Sequence, residues 1–168
     1  MKLKDYIDKL LRLEIHLTAD LAGLLTLPRN ESLSKVLNLE SAKKLLQEQS
    51  IASWENYIKH IPAYERSLQA ITNAEVDFSD DPNYLHNNMD KLLTCASDLR
   101  QFYDETLKYL NRKVDDAEVA STLALTKLLV NGLLGEVRKL VDLDQKFKVM
   151  LQSKGIDYIA KYKLSDVD

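Results

Sequence analysis

At 168 residues the chain is the length of one domain and can bury a core without a disulfide or structural metal. Hydrophobic residues make up 45% and charged residues 29%, and four glycines with three prolines are too few turn formers for an all-β fold. The net charge of -3, with basic and acidic residues interspersed along most of the chain, gives no overall basic footprint for nucleic acid and leaves room only for a local patch, and no apolar run approaches the ~20 residues of a membrane span.

The single Cys95 excludes an intramolecular disulfide and a cysteine-rich zinc site. Met1 to Asp8 is charged and lacks the apolar core of a signal peptide, so the expected location is the cytoplasm.

Apolar positions recur with helical spacing along most of the chain. The first predicted helix runs from about Leu3 to Leu27, with Leu3, Ile7, Leu10, Leu13, Leu17, Leu21 and Leu24 on one stripe and Glu14 set among them. Pro28-Arg29-Asn30 ends it, because proline disfavours helix in the residue before it. The second covers about Ser32 to Ile71, with a kink or interruption expected at Pro62. Polar, turn-forming residues from about Thr72 to Tyr84 make the one long connection.

The third predicted helix spans about Tyr84 to Val114, with Leu85, Met89, Leu92, Leu93, Ala96, Leu99, Tyr103, Leu107 and Leu110 facing inward. The fourth begins at Asp115 or Asp116 and continues to about Ser153. Gly155 reads as its stop, followed by a short final helix from Ile156 to about Lys163. Two short junctions and one long one suit two helical hairpins joined by a crossover.

Several segments carry a resemblance to ferritins. Arg12-Leu13-Glu14-Ile15 resembles the first-helix stretch that holds an iron-ligating glutamate, and Ser41 to Leu46 is similar to the start of the second helix. Thr94-Cys95-Ala96 looks like part of the third, and Lys154 to Tyr158 like the turn into a short fifth helix. The resemblance implies an all-α, ferritin-like four-helix bundle forming a single domain over residues 1–168, with one long crossover connection and a short C-terminal helix. It also implies a homo-oligomer, up to a shell of about 24 subunits, that either stores iron or has lost it altogether, so no cofactor is assigned beyond iron as the candidate.

The chemistry departs from that family. Di-iron bundles need Glu-x-x-His pairs, whose members lie on one helix face and reach one metal, and no glutamate here has a histidine three residues later. The second-helix pair is replaced by Ala52 and Glu55, the third-helix glutamate by Arg100, and the fourth-helix cluster by Val130-Asn131-Gly132. Glu14 and Glu55 are the remnant metal positions, with Asn131 as a further substitute, and no catalytic residue is assigned.

Each candidate has a plainer reading. Glu14 is either a remnant ligand or a buried carboxylate paired with Arg100 or a lysine, since an unpaired buried ion costs several kcal/mol. His16 and Asp20, four apart, either share a metal or form a solvated face. His60 has Glu55 or Tyr64 within reach, and His86 is expected exposed at a helix start. Cys95 reads as inert core. Gly132 and Gly135 each cost the fourth helix about 1 kcal/mol against alanine, which suits a close-packed interface, within the bundle or between subunits, more than a kink. Tyr103, Tyr109, Tyr158 and Tyr162 fit an interface as readily as a core. The functions in view are a non-catalytic, iron-storage-related shell subunit, a helical protein–protein interaction module, and an oxidase with unusual ligands. The third ranks last, because Glu14 and His16 point in different directions around one helix. Glu40 and Glu48 are a thin version of the acidic cluster that storage would need.

Overall fold

The computed structural model describes residues 1–26, 51–79, 82–113 and 117–156. Four helices occupy them: α1 (Leu3–Thr26), α2 (Ile51–Thr72), α3 (Pro82–Lys113) and α4 (Ala117–Ser153). No strand occurs among the described residues, only an isolated bridge between Lys2 and Asp77. The expected helix over 32–50, the junctions at 28–31 and 114–116, and the final helix beyond Ile156 lie outside them.

The seven-residue apolar stripe of α1 is buried throughout, as its spacing requires. α3 begins two residues before the expected Tyr84. Pro82 suits the first helical position, where no N–H is needed and its fixed φ is already helical. Its inward face from Leu85 to Tyr103 is buried as read from the sequence.

α2 runs unbroken through Pro62, contrary to the expected interruption. An interior proline costs about 3 kcal/mol, because it removes one backbone bond and crowds the carbonyl four residues back. Pro62 faces solvent, where water can satisfy that carbonyl. Burial of Tyr57, Ile61 and Ile71, at roughly 2 kcal/mol for each side chain, outweighs the penalty.

α4 buries Leu129, Val130, Leu133, Leu134, Val137, Leu140 and Val141. Its end is closed by two backbone bonds, Gly155 N–H to the Gln152 carbonyl and Ile156 N–H to the Leu151 carbonyl, both 3.0 Å. Gly155 has φ 74°, which only glycine adopts without strain, so it is the helix stop that the sequence indicated.

α1 and α4 each pack against both α2 and α3, so α2 and α3 face each other across the bundle. Tyr84 at the start of α3 bonds Asp8 near the start of α1, and further along Cys95 lies near Glu14. α1 and α3 are therefore parallel. α2 runs opposite to α1, since Asp20 near the end of α1 meets His60 while Tyr6 meets Phe78 just past the end of α2. His86 beside Asp144 sets α4 opposite to α3.

The bundle is thus up-down-up-down, and the expected lengthwise crossover is corrected. The α2–α3 connection stays at one end, passing the start of α1, where the Asp77 N–H donates to the Met1 carbonyl at 2.8 Å. Chain reach explains this. Nine residues separate Thr72 from Pro82 and extend about 30 Å, far short of the roughly 48 Å of the 32-residue α3.

Candidate functional site

Glu14 lies in the middle of α1 with no exposed surface, and neither carboxylate oxygen has a hydrogen-bond partner. Arg100 and the lysines leave it unbonded, so the expected pairing is corrected. Burial alone pushes its pKa well above the ordinary 4.5, which favours a neutral carboxyl. One turn on, the buried Thr18 hydroxyl also lacks a partner.

Among the described residues no group of three His, Cys, Asp or Glu side chains comes close enough to hold a metal. Asn131 points to solvent on α4, so it is no core ligand, and the Glu55 side chain lies outside the described residues. Cys95 is half-buried, and burial, with Glu14 and Asp98 nearby, pushes its thiol up to about 11. That suits the inert role read from its place on the apolar stripe.

Several other buried polar groups find partners on neighbouring helices. The Tyr6 hydroxyl donates to Glu136, whose second oxygen accepts from Lys139 at 2.8 Å. Thr126 commits its proton to the Thr122 carbonyl, so Tyr57 donates to Thr126 and ties α2 to α4. His86 is largely buried with Nδ1 3.8 Å from Asp144, where exposure was expected. Asp20 meets His60 on α2 at 2.9 Å, and also accepts from the Tyr64 hydroxyl, in place of sharing a metal with His16. Desolvation, then the bond to Asp20, raises the Tyr64 phenol, keeping it a donor.

Below this Asp20 clamp, α1 and α2 part to leave an open groove of about 390 Å³. Its α1 wall is Lys9, Arg12 and His16, spaced three and four residues apart and so on one face, all exposed. The α2 wall is Ala63, Ser67 and Ala70, equally exposed and too small to fill the gap. Leu13 and Ile71 form the buried floor, with Tyr64 beside them.

No known protein family, curated protein or solved structure matches the chain.

The groove's electrostatics are one-sided. No carboxylate lines it, and none of its three basic side chains makes a salt bridge among the described residues. Asp8 lies in an adjoining hollow that shares Arg12 and His16, but it is engaged by Tyr84, whose phenol is thereby pushed up to about 12. Sequence reasoning weighed His16 and missed Lys9 and Arg12 as its companions. The signal was their spacing of i, i+3 and i+7 on the face flanking the leucine stripe.

Proposed function

We propose that this chain is a non-enzymatic helical binding module that takes a partner in the α1–α2 groove. One observation carries the reading: an open groove over a buried apolar floor, flanked by a row of exposed basic side chains that form no salt bridge among the described residues. An exposed apolar hollow with a few convergent polar groups is the usual form of a recognition site. Asp20, His60 and Tyr64 tie the two helices together beside it, so the walls need little ordering when a partner arrives.

Iron storage in a ferritin-like shell has less support. It calls for carboxylate clusters and a lengthwise crossover; among the described residues no carboxylate cluster accompanies Glu14, and α1 and α3 run parallel. The test is affinity capture from extracts of the source cell with three baits: the native chain, Ser67→Trp and Gln101→Trp. Ser67→Trp fills the groove, whereas Gln101→Trp alters an exposed site on α3. A partner retained by the native chain and Gln101→Trp but lost with Ser67→Trp is the expected result. Identical capture by all three baits removes the groove from the function.

A further inference from the structure

The geometry points to an acidic amphipathic helix as the occupant of the α1–α2 groove, laid along it with its carboxylates toward Lys9, Arg12 and His16. This rests on the binding-module reading and adds the partner's chemistry to it.

Two features select a helix over a small ligand. Lys9 to His16 and Ala63 to Ala70 each span seven residues, about 10 Å or two helical turns, so both walls repeat with the period of a third helix beside them. A small-molecule pocket encloses most of its ligand. Here both rims are exposed, and a compact ligand would keep much of its surface in water. The small side chains of the α2 wall let a helix backbone approach closely, while Leu13 and Ile71 receive its apolar face.

Charge selects the composition. The basic row stands on the α1 rim only, and the α2 wall carries no charge. The complementary helix therefore has Asp or Glu at i, i+4 and i+7 along one edge and apolar residues on the face beside it. The exposed rim makes these ion pairs contribute to association rate and specificity more than to affinity. The affinity comes from closing the groove, where the exposed Ala63 and Ala70 and the aliphatic stems of Lys9 and Arg12 lose their contact with water.

The experiment uses the full chain and one designed amphipathic helical peptide in three versions, with Glu, Gln or Lys at the edge positions, read by fluorescence anisotropy. The expected result is that the Glu version binds about tenfold tighter than the Gln version, and the Lys version more weakly than both. Raising salt from about 50 to about 300 mM should narrow that gap. Arg12→Glu should erase the preference for Glu, and Ser67→Trp should weaken all binding. Equal binding of the Glu and Gln versions, lost with Ser67→Trp, overturns the acidic partner while leaving the binding module standing. Binding that Ser67→Trp does not touch, or no binding by any peptide, overturns the helix proposal; the capture experiment then decides the module separately. A native dimer that Arg12→Glu dissociates would assign the groove to a second copy of this chain, which also overturns the proposal.

Discussion

Glu14 and Glu136 are both buried glutamates, yet their surroundings differ. Glu136 accepts from Tyr6 and Lys139 and keeps a charge-assisted pairing, while Glu14 has no partner for either oxygen. Burial raises the Glu14 pKa, so the folded state holds a proton that the unfolded chain releases above about pH 4.5. Stability then falls as pH rises, by up to about 1.4 kcal/mol per pH unit until the folded pKa is passed. Glu14→Gln removes this linkage. Urea midpoints for the two proteins should nearly coincide at about pH 4 and diverge toward pH 7, with the variant the more stable. Parallel midpoints across that range would mean that Glu14 is charged and paired. Its burial was legible from the leucines around it, because helical periodicity settles burial within one element. Pairings such as Asp20 with His60 were not legible, since they depend on which helices become neighbours.

At the scale of single helices, periodicity was a good guide to burial, and glycine and proline were the weaker signals. Pro82 opens a helix and Pro62 sits inside one, because position and solvent exposure decide what a proline does. The two glycines within α4 separate in the same way. A Cβ at Gly132 would meet Leu68 Cδ2 at 2.6 Å, whereas a Cβ at Gly135 would meet nothing within 4 Å. Close packing within the bundle therefore holds at Gly132, where α2 presses on α4, and not at Gly135. Gly135→Ala should stabilise the protein by up to about 1 kcal/mol through helix propensity. Gly132→Ala should gain less, because the end of Leu68 must move. Gly132→Leu should destabilise by about 1–3 kcal/mol through overpacking. Thermal unfolding of the three variants checks the order; equal responses at the two sites would remove the α2–α4 contact as the reason for Gly132.

For the whole molecule, the all-helical architecture was readable, but the path of the chain was not. Residues 72–84 looked like one long connection because they are polar, and that length suggested a crossover. Once Pro82 and Asn83 join α3, the remaining span cannot traverse the bundle, and the chain must re-enter at the end it left. A pair of distances tests this directly. With Cys95 replaced by Ser, spin labels at Asp5 and Asn87 sit near the same end of parallel α1 and α3. A label at Lys108 is 21 residues farther along α3, roughly 31 Å. The Asp5–Asn87 distance should be roughly 20 Å or less, given helix axes about 10 Å apart, and Asp5–Lys108 should exceed 30 Å. A lengthwise crossover reverses the order, because antiparallel α1 and α3 would bring Lys108 toward Asp5. That reversal would restore the ferritin-like path and with it the case for Glu14 as a ligand position. The expected order removes the path on which that assignment rests, leaving Glu14 as a buried acid whose protonation the bundle itself sets.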